Sequence, residues 1–269
     1  MAGEVIVAPW QGAQQPEGGA GVVRVLLRHE GRLNAMTRAM WLQLRSVFEA
    51  LARTPELRCV LIEGEGEAFC AGGDISEYPG FRFDATQLRH FHEQEVWGGL
   101  SAMLACDVPI VARIAGACMG AGVEIASCCD IRIAADTARF GAPIAKLGFP
   151  MAPREAQLVA STVGDATARM MLLEAATFSA PEMLARGFLS RVVPAAELQA
   201  SAQASVAAIA ALAPQAARLN KRTLRALRPQ LAEVLPQALG DPYAYADSAE
   251  HREGIGTFLA KRKPRFVWL

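Results

Sequence analysis

The sequence lacks a net charge. Its 269 residues carry 27 lysines and arginines against 27 aspartates and glutamates. Proteins that bind nucleic acids usually present a net basic surface, so this balance argues against nucleic-acid binding. The composition is 52% hydrophobic and 20% charged, which is too apolar for a disordered chain. The length predicts one large domain or two small ones.

A long uncharged hydrophobic run is also missing. The most apolar stretch, residues 108–135, is interrupted by Arg113, Glu124 and Asp130. A membrane-spanning helix needs about 20 apolar residues, so none is expected. Residues 1–12 contain Glu4 and lack a basic start followed by an apolar core, which argues against a signal peptide. We therefore predict a cytoplasmic protein with no membrane partner.

Paired cysteine spacings and a serine-hydrolase motif are absent as well. None of the six cysteines forms Cys-x-x-Cys, so we expect buried reduced thiols and no zinc site. His90 and His92 flank Phe91 without a convincing third metal ligand, which favours a solvated or half-buried helix face. No Gly-x-Ser-x-Gly stretch supplies the nucleophile of a serine hydrolase.

Strand and helix patterns alternate along the chain. The first 20 residues, rich in Gly, Pro and Gln, predict a loose arm. Alternation of strands and helices favours an α/β fold with a largely parallel sheet. Strands are predicted over 22–27, 59–63, 109–114 and 130–134. Helices are predicted over 35–53, 85–105, 124–129, 154–163, 166–174, 181–186, 195–212, 214–227 and 247–261.

A first glycine-rich turn comes after the second strand. Gly72 and Gly73 precede Asp74, and Glu77 follows three positions later, a spacing typical of a helix capping box. Glycines let a backbone approach a ligand closely. The Gly73 amide is therefore a candidate hydrogen-bond donor, and a capped turn without a ligand is the alternative.

A second glycine-rich segment, residues 116–124, leads into a short apolar helix. A helix that begins near Ala121 presents unpaired amides, and such amides stabilise a developing oxyanion. Glu124 lies on the first turn, where a buried carboxylate is either a hydrogen-bonded structural group or a general acid/base. The glycine spacing does not match a dinucleotide-binding fingerprint.

Both segments, with several others, resemble the crotonase superfamily, also called the enoyl-CoA hydratase/isomerase family. The resemblance covers about residues 22–266. It implies a crotonase-like ββα spiral core over 1–195, and a helical C-terminal trimerisation region over 196–269 that forms one structural unit with the core. The motifs are Arg32-Leu33-Asn34-Ala35-Met36, FCAGGDI at 69–75, GAGVE at 120–124, Cys129-Asp130-Ile131-Arg132, Phe140-Gly141-Ala142-Pro143, Lys146-Leu147-Gly148, Glu253-Gly254-Ile255 and Lys261-Arg262-Lys263-Pro264.

The same resemblance implies an acyl-CoA thioester substrate, no separate cofactor, and a homotrimer or dimer of trimers in fatty acid metabolism. By motif position the family's oxyanion hole falls on the amides of Gly73 and Ala121, and a catalytic glutamate falls on Glu124. Members of the family often have glycine where this chain has Ala121. The remaining predicted contacts with the CoA ester are Ala71, Gly72, Asp74 and Lys261.

The chain departs from the family pattern at two places. Ile144 stands where hydratases carry a second glutamate, and isoleucine cannot transfer a proton. Arg154 and Glu155 replace a Gly-Gly pair, so Glu155 is either a possible catalytic group or an acidic first-turn residue of a helix. A hydratase-like lyase is the leading prediction. Another crotonase chemistry (isomerase, decarboxylase or thioester hydrolase) and a CoA-binding protein with degraded catalysis stay open.

Two C-terminal segments concentrate positive charge. They are either solubilising surfaces or, as the resemblance favours, contacts for the phosphates of CoA. The residues are Arg218, Lys221, Arg222, Arg225 and Arg228 in the first segment, and Lys261, Arg262, Lys263 and Arg265 in the second.

Overall fold

The computed structural model describes residues 2–10, 21–227 and 240–266. Its strands are β1 (Glu4–Pro9), β2 (Val22–Arg28), β3 (Cys59–Gly64), β4 (Ile110–Ile114), β5 (Ala117–Met119), β6 (Ile131–Ala135), β7 (Arg139–Gly141), β8 (Thr177–Ser179) and β9 (Arg191–Val193). Its α-helices are α1 (Arg38–Ala52), α2 (Ala85–His90), α3 (Trp97–Ala105), α4 (Ala121–Ser127), α5 (Pro153–Val163), α6 (Asp165–Leu173), α7 (Ala180–Ala185), α8 (Leu198–Ala210), α9 (Pro214–Leu227) and α10 (Ala249–Leu259).

The main sheet has six strands in the order β1-β2-β3-β4-β6-β9. From β2 to β9 every neighbouring pair is parallel, as the alternating pattern predicts. Strands β3 and β4 are almost wholly buried, because apolar residues occupy both of their faces. Among the described residues, no helix is both long enough and apolar enough to cross a membrane.

A second, smaller sheet runs beside the first in the order β5-β7-β8. Single bridges between Met36 and Gly73 and between Cys70 and Cys118 continue it toward the N-terminal turns. The chain therefore contributes strands to one sheet and then the other between its helices. This arrangement confirms the predicted α/β class and its ββα spiral.

Strand β1 corrects the prediction of a loose N-terminal arm. Residues 4–9 pair antiparallel with β2, from Glu4 opposite Arg28 to Pro9 opposite Val23. The Val-Ile-Val alternation is a strand pattern, but the Gly- and Pro-rich residues that follow it dominate the composition of the segment. The part of the arm over 11–20 lies outside the described residues.

The predicted single helix over 85–105 is divided. A π-helical turn, Phe91–Val96, separates α2 from α3. The turn buries Phe91, His92, Glu95 and Val96, whose i, i+1, i+4, i+5 spacing also places them on one face of a regular α-helix.

Helices α8 and α9 pack against the core. Apolar residues of α8 cover one face of the main sheet. The predicted phosphate-binding cations of α9 instead have protein partners. Arg218 donates to backbone carbonyls, Lys221 bonds the Val108 carbonyl and Asp130, and Arg222 and Arg225 pair with Asp107. These contacts dock the helix, and Arg228 lies outside the described residues.

Candidate functional site

A cavity of about 320 Å³ lies where the two glycine-rich segments meet. Both segments contribute to its wall, through Ala71, Gly72 and Gly73 and through residues 119–121. The π-helical turn and the 3₁₀ turn Ile144–Leu147 line other parts of the wall. The cavity therefore collects the residues that the sequence singled out from separate parts of the chain.

The Gly73 amide faces this cavity as a free donor. Met36 N–H donates to the Gly72 carbonyl and Asp74 N–H donates to the Met36 carbonyl, each at 2.8 Å. Since both neighbouring groups bond Met36, the Gly73 N–H points to the opposite side. It has no acceptor among the described residues.

The Ala121 amide is the second free donor. Gly120 turns the chain with φ +47° before α4 begins, a backbone conformation that favours glycine. Gly120 N–H donates to the Gly141 carbonyl, and Glu124 N–H closes the first turn of the helix on the Gly120 carbonyl. Within the described parts of the chain the Ala121 N–H has no acceptor.

The two turns are in direct contact. A Cβ on Gly72 would lie 3.5 Å from the Met119 carbonyl oxygen, and one on Gly120 would lie 3.7 Å from the Gly72 Cα. Hydrogen bonds of 2.9 Å between Cys70 and β5 fix this approach. Two free amides on touching turns are the arrangement that stabilises an oxyanion.

Glu124 lines the same cavity and is buried. Its carboxyl group has no hydrogen bond or ion pair to another described residue. Burial raises its pKa to about 8, with a further contribution from the negative charge of Glu155, while the Arg82 guanidinium acts in the opposite direction. The Glu124 carboxyl is therefore mostly protonated at neutral pH.

Glu155 is linked to the cavity by its contact with His92. Its side chain, on the first turn of α5, is buried but does not line the cavity. Its Oε1 lies 3.1 Å from Nδ1 of His92, whose ring does line the cavity. Ile144 contributes apolar wall at the position of the missing glutamate.

His92 corrects the prediction of a solvated or half-buried histidine face. His90 is exposed, but His92 is buried on the inner helix face that it shares with Leu88 and Phe91. Burial lowers the pKa of His92, against the opposing effect of Glu155. Its Nε2 is buried with no hydrogen-bond partner among the described residues. The buried residues Leu88, Phe91, His92, Glu95 and Val96 follow the i, i+3, i+4 spacing of one helix face, a signal that could have placed His92 inside.

Arg82 is a second lining residue that the sequence analysis did not select. Its guanidinium lies over the rings of Tyr78, at 4.4 Å, and Phe149, at 4.1 Å from the centroid. Its Nη2 donates to the Tyr245 hydroxyl at 3.4 Å. Tyr78 is four residues away, but Phe149 and Tyr245 are distant in sequence, so no local motif marks the contacts with them.

The other predicted binding residues have varied placements. Ala71 and Gly72 line the cavity, whereas Asp74 and Lys261 do not. Asp74 caps the 3₁₀ turn Ile75–Gly80 by accepting from the Ser76 amide at 3.1 Å. The predicted capping box is wrong, because the Glu77 carboxylate accepts from the Arg38 amide instead. Lys261 is exposed. No metal-ligating cluster of His, Cys, Asp or Glu occurs in the described ranges.

Known proteins similar to this chain share its fold and most of its length. A family model described as enoyl-CoA hydratase/isomerase matches residues 17–267. The "Probable enoyl-CoA hydratase echA8" of Mycobacterium bovis is 33% identical over 245 residues, covering 90% of this chain and 93% of that protein. An enoyl-CoA hydratase/carnithine racemase from Magnetospirillum magneticum is 34% identical with a TM-score of 0.76, covering 92% of each chain. A methylmalonyl-CoA decarboxylase in complex with 2-nitronate-propionyl-CoA is 25% identical with a TM-score of 0.83, covering 99% of each chain.

Proposed function

Since the chain belongs to the enoyl-CoA hydratase/isomerase family, we propose that it adds water to, or eliminates it from, a CoA thioester through an enolate. The observation that supports this proposal is the meeting of three groups in one cavity. Two are the free amides of Gly73 and Ala121, and the third is the buried Glu124 carboxyl. Fixed donors of this kind are the main source of rate acceleration in reactions that develop an oxyanion.

In this mechanism the thioester carbonyl oxygen accepts from the amides of Gly73 and Ala121. Attack at the β-carbon moves negative charge onto that oxygen, where the two N–H groups stabilise it. Glu124, with a pKa of about 8, is protonated at neutral pH and donates its proton to the α-carbon. The electron pair of the enolate forms the new C–H bond.

His92 supplies the second proton-transfer group in place of the glutamate that Ile144 replaces. With its Nδ1–H donated to Glu155, the neutral ring leaves the Nε2 lone pair without a partner. That nitrogen takes a proton from the attacking water as the oxygen bonds the β-carbon. Glu155 is a positioning residue, because it fixes the tautomer of His92 without lining the cavity itself.

We expect His92→Gln to lower kcat for hydration by about 10²-fold, since general acid–base groups contribute ~10²–10⁴-fold. Glu155→Gln should lower kcat less than His92→Gln does. It should also shift the acidic limb of the pH dependence of kcat, because His92 loses the carboxylate that orients its ring. His90→Gln is the matched control, since that ring is exposed two residues away. Equal kcat in His92→Gln and His90→Gln would remove His92 from the mechanism.

The experiment for the overall proposal uses the purified protein with crotonyl-CoA and longer enoyl-CoAs. Loss of the absorbance of the conjugated double bond reports hydration. Turnover of at least one chain length supports the proposal, and no turnover at any length contradicts simple hydration.

Decarboxylation is the second candidate function. It is favoured by Ile144, which removes one carboxylate of the hydration scheme, and by similarity over nearly the whole chain to a methylmalonyl-CoA decarboxylase. Mass spectrometry of products from a panel of CoA esters separates the two reactions, because decarboxylation releases CO₂ and hydration adds the mass of water.

The homotrimer, or dimer of trimers, also belongs to this proposal, with the C-terminal helices as subunit contacts. Support comes from large apolar side chains that these helices leave exposed, a feature typical of interfaces. They are Leu219, Leu224 and Leu227 on α9 and Phe258 and Leu259 on α10. The cytoplasmic location and the role in fatty acid metabolism stay predictions from the sequence.

A further inference from the structure

The Arg82 guanidinium is a buried cation in the wall of the cavity. The residue is 1% exposed, although the cavity opens beside the exposed Lys146 and the half-exposed Phe258. Arg82 therefore belongs to the interior of the cavity. An arginine side chain keeps its positive charge at every pH at which proteins fold.

This charge has no carboxylate partner within the described residues. Arg82 forms no ion pair there, its Nε has no hydrogen-bond partner, and its Nη2 donates a long hydrogen bond of 3.4 Å to the Tyr245 hydroxyl. Arg132, which is also buried, differs because it donates to the carbonyls of Phe188 and Cys129 at 2.5 Å. Arg132 is thus satisfied by the fold, and Arg82 is not.

Burial of an unpaired charge is costly. The desolvation penalty of a buried ion exceeds what a cation–π contact returns. The rings of Tyr78 and Phe149 therefore hold the guanidinium in place without replacing its lost hydration. A binding partner that carries an anion would offset the remaining cost.

The cavity supplies little negative charge of its own. Glu124 is mostly protonated at neutral pH, and Glu155 lies behind His92. The thioester carbonyl is assigned to the amides of Gly73 and Ala121, and the phosphates of CoA are highly hydrated groups suited to the open mouth. The group that reaches Arg82 therefore belongs to the acyl chain.

We propose that Arg82 binds a carboxylate carried by the acyl chain, so that the preferred substrates are CoA thioesters of dicarboxylic acids. A guanidinium binds a carboxylate through two parallel hydrogen bonds, which selects it over a methyl or amide end. The substrate class rests on the proposed function, while the recognition of the carboxylate is testable by binding alone.

The test compares trans-2-enoyl-CoAs of equal length that end in a carboxylate, a carboxamide or a methyl group. We expect the wild type to favour the carboxylate in kcat/KM by about 10²-fold or more, because a buried charge left without its partner weakens binding strongly. Arg82→Met should abolish this preference and Arg82→Lys should keep part of it. Arg89→Met is the control, because Arg89 stacks on Tyr243 but does not line the cavity.

Calorimetric binding of saturated acyl-CoAs with the same three ends separates the two proposals, because these esters cannot be hydrated. A carboxylate preference that Arg82→Met removes supports the inference even if no enoyl-CoA is turned over. Equal binding of all three ends by the wild type overturns the inference while leaving hydration intact. Weaker binding of free CoA to Arg82→Met also overturns it, because Arg82 would then serve the CoA moiety. Melting temperatures of both Arg82 variants identify any loss of folding.

Discussion

Replacement of Glu124 by glutamine lowers kcat for hydration by about 10²-fold or more, because general acid–base groups contribute ~10²–10⁴-fold. Glutamine has nearly the same shape as protonated glutamic acid, so the cavity and the two free amides are preserved. Acyl-CoA binding, measured by calorimetry, should change little. An unchanged kcat in Glu124→Gln, or a wild type that turns over no substrate, would favour a CoA-binding protein with degraded catalysis.

The Glu124 carboxyl group also sets the alkaline limb of the pH dependence of kcat/KM. The pKa of Glu124 is raised from its ordinary value to about 8, and the mechanism uses the protonated form. We therefore expect kcat/KM to fall as pH rises through about 8, and Glu124→Gln to lack this limb. A kcat/KM that rises through pH 8 would show that Glu124 acts as the ionised base instead.

The raised pKa also affects stability. A carboxyl group whose pKa is higher in the folded state than in the unfolded state contributes to stability. This contribution is fully present at pH values below the unfolded-state pKa, and it is lost as pH rises through the folded-state pKa. The wild type should therefore lose free energy of unfolding between about pH 4.5 and 8, and Glu124→Gln should lose less. Urea unfolding at several pH values measures the difference and also shows that the variant folds.

Replacement of Gly73 by alanine lowers kcat/KM by about 10²–10³-fold, the cost of losing one oxyanion-hole donor. A Cβ at this position would overlap the hydroxyl oxygen of Tyr78, so the turn must move and its amide with it. Gly80→Ala is the matched control, because no atom lies within 4 Å of a Cβ built there.

A second substitution tests this physical reason. In Gly73→Ala/Tyr78→Phe the overlapping oxygen is gone, and the nearest remaining ring atom lies 3.2 Å from the new Cβ. We expect the double variant to recover part of the lost kcat/KM, which a double-mutant cycle measures as coupling between the two positions. Strictly additive losses would contradict the assignment of the defect to this overlap.

The parallel sheet and the closeness of Ala121 to Glu124 could be predicted from local signals, whereas the meeting of Gly73 with these two residues follows from the resemblance to the family. Strand–helix alternation specifies the sheet, and each glycine-rich turn lies directly beside the residue that it orients. The contacts of His92 and Arg82 could not be predicted in the same way. His92 is held in place by Glu155, 63 positions later. Arg82 bonds Tyr245, 163 positions later. Such contacts arise from the folded topology, and no spacing in the sequence predicts them.

The cations of α9 are a case in which a clear pattern in the sequence led to a wrong expectation. A segment with five cations and no acid suggested a phosphate surface, but Lys221 and its neighbours on α9 bond carbonyls and aspartates of the core. Charge density along the sequence cannot distinguish an exposed cation from one that docks a helix. That distinction depends on which acceptors the fold brings opposite the helix.

The central claim is that the amides of Gly73 and Ala121 hold an enolate to which Glu124 returns a proton. Its most direct test is exchange of the α-protons of a saturated acyl-CoA with D₂O, followed by NMR, since this reaction needs an enolate but no hydration. The account predicts exchange well above the uncatalysed rate with the wild type and near the uncatalysed rate with Glu124→Gln. A wild-type protein that binds the acyl-CoA without accelerating exchange would contradict it.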